Sequence, residues 1–192
     1  CNIIVLNKTN EVSKEELVNL LGKDDIQTQE VDIPNTLKVL KSFDIANSEL
    51  FKKGYFTIQD AAATLTGIVL GANDNENILD LCSAPGGKTT EIAALTNNGA
   101  LITAVEKNKI RADRLKYNIE KQGAKKVSVL NVDSRRLDEF FMFDKILLDA
   151  PCSGSGTLSK ETINDFNEDL LTRSIKFQKE LIEEAIKHIS EH

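Results

Sequence analysis

The sequence predicts an α/β protein in which a doubly wound parallel sheet follows a small α+β module. From residue 78 onward, short apolar segments alternate with helical segments, which is typical of a parallel sheet covered by helices. The first 50 residues lack this alternation, and four of the later apolar segments are each followed by a polar group. Because ligands of such sheets bind at the carboxyl ends of the strands, the residues after each strand form the candidate site.

The first 50 residues predict the α+β module, beginning with a strand over Asn2–Leu6. Ser13 is the expected N-cap of a helix over Lys14–Leu21, which Gly22 would end. The segment Gln27–Ile33 alternates weakly and predicts a second strand. The module therefore combines short strands with one helix.

The core is predicted over residues 51–192. Its expected elements are a turn and strand over Phe51–Gln59, a helix over Asp60–Leu70, a strand over Ile78–Cys82, a helix over Lys88–Leu95, a strand over Leu101–Val105, a helix over Lys109–Gln122, strands over Val127–Asn131 and Lys145–Leu148, and a helix over Asp169–Ile189. The last helix is expected to bury one apolar stripe, formed by Leu171, Ile175, Ile182, Ala185, Ile186 and Ile189. In the helix before it, Ile110, Leu115 and Ile119 are expected on one apolar side.

Composition and charge limit the possible partners. Hydrophobic residues (41%) and charged residues (28%) are typical of a globular domain, and no apolar segment could span a membrane. The net charge of −6 argues against nucleic acid, although a local basic patch could supply phosphate contacts. The three cysteines, Cys1, Cys82 and Cys152, form no CxxC pair, so neither a disulfide framework nor a metal site is expected. A reducing, cytoplasmic location fits this sparse set.

The residues after the first core strand, Asp80–Lys88 (DLCSAPGGK), form a candidate ligand-binding turn. Gly86 and Gly87 let the backbone approach a ligand directly before a helix N-terminus. A P-loop is excluded because its first glycine would fall at Cys82, and a dinucleotide-binding G-x-G-x-x-G is absent. A tight turn without a ligand and a nucleoside site without a pyrophosphate both remain open.

The next three strands each end at an acidic residue. Glu106 lies about 20 residues beyond the turn, where a carboxylate can bind ribose hydroxyls, unless it is a solvated surface residue. Asp133 could accept a hydrogen bond from an adenine amino group, or it could be a turn residue. Asp149 opens the segment DAPCSGSG, in which Cys152 is either beside the ligand or an inert small hydrophobe.

These segments together resemble the Sun/Fmu (RsmB-like) family of RNA cytosine-5 methyltransferases, and the resemblance covers nearly the whole chain. Asp80–Lys88 resembles the D-x-C-A-A-P-G-G-K-T loop that binds S-adenosylmethionine (SAM), and Asp149–Gly156 resembles the D-A-P-C-S-G-x-G loop. Gly54–Leu65 resembles the G-x-x-x-x-Q-D-x-A-S segment before the fold, and Gln178–Leu181 matches the L-Q-x-x-L helix. The order and spacing of the two glycine and cysteine motifs are specific to this family.

The sequence departs from the family pattern at three places. Ser83 replaces an Ala of the turn, and Ala63 stands where Ser is usual. Leu158–Glu168 lacks the basic, proline-containing stretch of the family, which bears on the RNA target.

The resemblance implies a Rossmann-like, SAM-dependent methyltransferase fold without its last strands, preceded by an RNA-binding α+β module truncated at its start. The residues expected around the methionine part of SAM are Cys82, Ser83, Ala84, Pro85, Gly86, Gly87 and Lys88. Glu106 would hold the ribose, Asp133 the adenine side, and Asp149 would border the methyl group and the base. Lys88 would position Asp149 or the target.

The resemblance also implies methylation of C5 of cytosine in ribosomal or transfer RNA. A thiolate that adds at C6 makes C5 nucleophilic toward the SAM methyl group. In the family the attacking Cys lies in a later T-C-S motif and the Cys matching Cys152 assists release; by analogy with DNA cytosine methyltransferases, Cys152 itself would attack. The chain stops at His192, before a T-C-S motif, so we expect residues 1–192 to bind SAM without turnover.

Two alternative functions are also compatible with the sequence. One is a SAM-dependent methyltransferase that acts on proteins or small molecules. The other is a protein of the same fold that binds RNA without catalysis.

Overall fold

Two four-stranded sheets organise residues 3–8, 11–153 and 167–191, which are the residues that the computed structural model describes. The first sheet has the order β2-β3-β1-β4 and consists of β1 (Ile3–Leu6), β2 (Thr28–Glu30), β3 (Thr36–Val39) and β4 (Phe56–Gln59). The second has the order β7-β6-β5-β8 and consists of β5 (Asn77–Asp80), β6 (Leu101–Val105), β7 (Val127–Leu130) and β8 (Lys145–Leu147). The first sheet is antiparallel and the second is parallel.

Six helices accompany the sheets in the described residues. They are α1 (Lys14–Lys23), α2 (Glu49–Lys52), α3 (Ala61–Leu70), α4 (Gly87–Leu95), α5 (Lys109–Lys121) and α6 (Glu168–Lys187). The alternation of β5 to β8 with α4 and α5 confirms the predicted α/β class with its parallel sheet. Because β5, β6 and β7 run in the same direction, the residues after them meet at one edge of the sheet.

The antiparallel sheet packs its apolar face against α1. Ser13 caps this helix and exchanges hydrogen bonds with Glu16, and the helix buries Leu17 and Leu21 beside Phe56 of β4. The prediction that Gly22 ends the helix is wrong, because the helix continues to Lys23. A glycine lowers helix propensity, but it ends a helix only where the backbone turns left-handed.

The antiparallel sheet extends beyond residue 50, where the sequence prediction divides the chain. β4 pairs with β1 along its whole length, so Phe56–Gln59 belongs to the first sheet and not to the parallel core. The short strand Thr36–Val39 was not predicted, since four residues containing a lysine carry little periodic signal. The assignment of β4 could not be read from its own sequence, because its pairing is with residues at least 50 positions earlier.

Four of the six residues in the apolar stripe predicted for α6 are exposed, whereas Leu171 and Ala185 are half-buried. Ile175 is 58% exposed, Ile182 52% and Ile186 66%, whereas Leu181 and His188 are completely buried. The buried face of the helix includes the polar Glu184, whose carboxylate contacts Lys187 and His188. Periodicity alone cannot distinguish this face from the exposed one. Ile110 of α5 is likewise 77% exposed, contrary to the prediction.

Part of the predicted catalytic loop lies outside the described residues. The segment Asp149–Gly156 is described as far as Ser153, and the segment Leu158–Glu168 only from residue 167. Among the described helices, none has the length and apolar character needed to cross a bilayer.

Candidate functional site

A cavity of about 510 Å³ lies at the carboxyl ends of β5, β6 and β7. Leu81 and Cys82 follow β5, Glu106 follows β6, and Asp133 follows β7 in its lining. Phe177 of α6 and Pro151 contribute further walls. The strand ends therefore converge on one cavity, which combines apolar walls with two acidic side chains.

Glu106 is buried at 6% exposure and is held from both sides. One carboxylate oxygen accepts a hydrogen bond from the backbone N–H of Asn108 at 2.8 Å, and the other lies 3.5 Å from the Arg111 guanidinium. The side-chain amide of Asn131 donates to the Glu106 carbonyl at 2.7 Å. A buried carboxylate fixed in this way, with lone pairs remaining, can accept hydrogen bonds from two vicinal hydroxyl groups.

The turn between β5 and α4 is fixed by side chains of α5. Arg111 donates to the Ala84 carbonyl at 2.8 Å, and Asn118 donates to the Pro85 carbonyl at 2.8 Å. Gly86 has a φ of 109°, and a Cβ there would lie 2.8 Å from a methyl group of Leu115. A side chain at this position would therefore meet both backbone strain and a clash.

Ser83, which departs from the family pattern, fits its buried position. Its hydroxyl lies 2.9 Å from the Asp80 carbonyl and 3.0 Å from the Val105 carbonyl, within hydrogen-bonding distance of both. The departure therefore links the turn to β6 and leaves the shape of the turn intact.

Cys82 is a poor nucleophile in this environment. Burial raises the pKa of its thiol to about 12, and the neighbouring carboxylates of Asp80, Glu106 and Asp149 act in the same direction. Asp80 is itself buried beneath the turn, where it accepts a hydrogen bond from Thr89 at 2.7 Å. Burial raises the pKa of Asp80 to about 6. Cys82 thus remains a thiol at neutral pH.

Asp133 is an ionised carboxylate that two neighbouring cations hold in a fixed orientation. Arg135 donates from Nε at 3.0 Å and from Nη2 at 2.6 Å to the two carboxylate oxygens, and the Lys107 ammonium lies 2.9 Å away. These partners, Arg135 first, keep the pKa of Asp133 well below its usual range. The carboxylate is thus an ionised acceptor with a fixed orientation beside the cavity.

A second cavity of about 310 Å³ lies on the other side of the turn, against the antiparallel sheet. Gln59 of β4 and Asp60 line it together with Cys82, Lys88 and Asp149. Lys88 donates to the Asp149 carboxylate at 2.5 Å, which ties the residue after β8 to the first turn of α4. Cys152 is exposed, three residues beyond Asp149.

The structure brings together most of the predicted site residues. Cys82, Glu106 and Asp133 line the larger cavity, and Cys82, Ser83, Ala84, Pro85, Gly87, Lys88 and Asp149 line the smaller one. Gly86 is in neither described lining, because it packs against α5. In the described ranges no group of three His, Cys, Asp or Glu side chains is arranged to hold a metal ion.

Several functional positions were missed by reasoning from sequence. Arg111 and Asn118 lie seven residues apart on one face of α5, a spacing that could have been noticed. Arg135 and Phe177 reach the site only through tertiary packing, so no local signal identifies them, whereas Gln59 lies in the Gly54–Leu65 motif without its role being predicted.

Comparisons with a family model and with curated proteins agree on one family. The family model described as 16S rRNA methyltransferase RsmB/F matches residues 67–192. Ribosomal RNA small subunit methyltransferase F of Shewanella frigidimarina is 38% identical over 170 residues, which are 85% of this chain and 32% of that protein. The tRNA (cytosine(72)-C(5))-methyltransferase of Pyrococcus horikoshii is 37% identical over 134 residues, which are 69% of this chain and 34% of that protein.

A solved structure agrees with this family. The crystal structure of a methyltransferase homolog protein from Pyrococcus horikoshii has a TM-score of 0.80 and 27% identity, and the match covers 98% of this chain and 61% of that chain. This chain spans about a third of the length of the two curated relatives. The predicted SAM-dependent methyltransferase fold, with SAM as its cofactor, is confirmed. The chain belongs to the RsmB/F family of 16S rRNA methyltransferases.

Proposed function

We propose that this protein transfers a methyl group from SAM to C5 of cytosine in ribosomal or transfer RNA. The observation that carries the proposal is the ion pair between Lys88 and Asp149. This pair places the D-A-P-C segment against the glycine turn, beside a cavity with acidic and apolar walls. The relatives named above are methyltransferases of ribosomal and transfer RNA.

The larger cavity suits the nucleoside part of SAM. Leu81, Val105 and Phe177 supply apolar surface for an adenine ring. Glu106 would accept hydrogen bonds from the ribose hydroxyls, and Asp133 would accept one from the adenine amino group. The turn from Cys82 to Lys88 would surround the methionine part, while SAM supplies an electrophilic methyl group. Two fixed carboxylates, which accept hydrogen bonds, and apolar walls are the combination that binding of an uncharged nucleoside needs.

Asp149 and Cys152 would act on the cytosine. Lys88 holds the Asp149 carboxylate at the mouth of the smaller cavity, where it would border the base. The exposed thiol of Cys152 either adds to C6 of the base or assists release of the product after removal of the C5 proton. Cys82 takes neither part, because its raised pKa keeps it protonated.

A Cys152→Ala variant separates the two roles of Cys152. If Cys152 assists release, the full-length variant accumulates RNA covalently attached through another cysteine. If Cys152 attacks the base, the variant forms no covalent adduct. Denaturing gel electrophoresis with labelled RNA distinguishes the two outcomes.

The antiparallel part of the chain would bind the RNA backbone. Two lysines lie over aromatic rings where this part meets the core: the Lys121 ammonium is 4.0 Å from the centre of the Phe51 ring, and that of Lys8 is 5.4 Å from the centre of Tyr55. These two lysines put positive charge at this junction in a chain of net charge −6, and Lys8 also lies 3.6 Å from Glu11. A cytoplasmic location also fits, because neither Cys82 nor Cys152 takes part in a disulfide within the described residues.

Bisulfite sequencing of cellular RNA, with and without the gene, tests the proposed reaction. We expect at least one cytosine in ribosomal or transfer RNA to resist conversion only when the gene is present. Re-expression of the unmodified gene should restore the resistance, whereas the Cys152→Ala gene should not. Identical conversion maps with and without the gene would contradict the proposal.

A further inference from the structure

One turn of α6 contacts both sides of the candidate site. The Glu180 carboxylate accepts a hydrogen bond from Arg135 Nη1 at 2.7 Å, and the Gln178 side-chain amide donates to the Pro151 carbonyl at 2.9 Å. Phe177, in the same turn, lies 4.8 Å from the Arg135 guanidinium and forms a wall of the larger cavity. A single rigid segment thus joins elements that follow β7 and β8.

On the side of β7, the contact reaches Asp133 through Arg135. The same guanidinium that donates to Glu180 also makes the two-pronged contact with the Asp133 carboxylate. The fork geometry of a guanidinium fixes the relative orientation of its partners. Glu180 therefore helps to orient Asp133, although the described lining of the cavity includes neither Glu180 nor Gln178.

On the side of β8, the contact reaches the residue before Cys152. Pro151 lines the larger cavity, and its carbonyl is the acceptor for Gln178. A shift of α6 therefore moves the Pro151 carbonyl and changes the position of the adjoining thiol.

The rest of α6 is anchored, so the turn does not move independently. Leu181 is fully buried, and His188, just after the helix, contacts Glu184 at 3.2 Å and the Phe141 carbonyl at 2.8 Å. A helix fixed at this end transmits displacement as a unit, because packed helices shift and do not bend locally.

We propose that α6 couples occupation of the larger cavity to the position of the Pro151–Cys152 segment, with Glu180 and Gln178 as positioning residues. The inference rests on the proposed binding of SAM in this cavity. A ligand that contacts Asp133, Phe177 and Pro151 favours the α6 position in which all three contacts are made. The same position restrains Cys152, and by linkage a restraint on Cys152 strengthens ligand binding.

The test measures ligand affinity and thiol accessibility in the same variants. Isothermal titration with S-adenosylhomocysteine gives the affinity, and site-resolved mass spectrometry gives the rate at which iodoacetamide alkylates Cys152 with and without that ligand. Glu180→Gln removes the negative charge that pairs with Arg135, and Gln178→Ala removes the hydrogen bond to Pro151. Glu183→Gln is the matched control, because Glu183 is an exposed acid of the same helix.

In the unmodified protein and in Glu183→Gln we expect S-adenosylhomocysteine to slow alkylation of Cys152. In Glu180→Gln and Gln178→Ala we expect the affinity to fall by about threefold to tenfold and the protection of Cys152 at saturating ligand to be largely lost. Glu180 contacts Arg135 on the side of Asp133, and Gln178 contacts the Pro151–Cys152 segment. Loss of affinity alone in Glu180→Gln, with protection of Cys152 unchanged, would show a purely local role and contradict the coupling.

Affinity and protection equal to those of Glu183→Gln would overturn the coupling while leaving the proposed cofactor site intact. Absence of binding by the unmodified protein would instead overturn the cofactor proposal, and the coupling with it. Far-ultraviolet circular dichroism of each variant establishes that the fold is retained.

Discussion

The two cavities on either side of the glycine turn share Cys82 and differ in how they hold acidic side chains. In the larger cavity, Glu106 and Asp133 are paired with arginines and fixed in orientation. Around the smaller cavity, Asp149 is paired with Lys88, whereas Asp80 is buried and burial raises its pKa to about 6. The larger cavity thus presents two ionised acceptors of fixed orientation, whereas the smaller one combines an ion pair with a buried carboxyl group that titrates closer to neutral pH.

Glu91, which contacts the smaller cavity's lining residue Gln59, is a second buried acid whose pKa burial raises. It lies on α4 at 2% exposure, where Gln59 of β4 donates to it at 2.8 Å. α3 packs so closely that a Cβ at Gly67 would lie 3.1 Å from the Glu91 carboxyl carbon. Burial raises the pKa of Glu91 to about 7, and the charge of Lys88 opposes this only in part. Gln59 and Glu91 join the antiparallel sheet to the helix that begins at the glycine turn.

The largest expected effect concerns the thiol of Cys82. A pKa raised from 9.0 to about 12 leaves about a thousandfold less thiolate at pH 8 than an unperturbed thiol has. We expect iodoacetamide to modify Cys82 about a thousandfold more slowly in the folded protein than in the same protein in urea, and much more slowly than Cys152. Mass spectrometry over time measures both sites. Equal rates for Cys82 in the two states would show that the turn does not bury it.

A Glu106→Ala substitution tests the recognition assigned to the larger cavity. Loss of a buried charged acceptor for two hydroxyl groups should weaken binding of S-adenosylhomocysteine by about 100-fold. Isothermal titration measures the affinity, and Glu120→Ala is the control, because Glu120 is an exposed acid of α5. If Glu106→Ala binds within about twofold of that control, the ribose does not contact this carboxylate.

A Glu91→Gln substitution tests the pH response of the buried carboxyl group that accepts a hydrogen bond from Gln59, a lining residue of the smaller cavity. Because folding raises the pKa of Glu91 from 4.5 to about 7, the folded chain binds more protons than the unfolded chain between these values. The contribution of protonated Glu91 to the free energy of unfolding is therefore complete below pH 4.5 and is lost as the pH rises through about 7. We expect the free energy of unfolding of the unmodified protein to fall relative to the variant by about 3 kcal/mol across this range.

Urea unfolding of both proteins between pH 4.5 and 8 measures this difference. Asp80 contributes a pH dependence of the same sign in both proteins, so the difference between them isolates Glu91. Parallel pH profiles would show that Glu91 is ionised in the folded protein.

Local sequence signals located residues of both cavities, but not the contacts that distant elements make with them. Glu106, Asp133 and Asp149 each follow a short apolar strand, and the topology of a parallel sheet brings such positions together. Gln59 reaches its site because β4 pairs with β1, more than 50 residues earlier in the chain. The orientation of α6 was predicted wrongly, since its buried side chains include Glu184, which no hydrophobic pattern would select.

The structure of the protein bound to S-adenosylhomocysteine tests the central claim most directly. We expect the adenosine to lie in the 510 Å³ cavity, with the ribose hydroxyls within hydrogen-bonding distance of Glu106 and the adenine beside Asp133 and Phe177. A ligand seated instead in the 310 Å³ cavity, or a ribose without contact to Glu106, would contradict it.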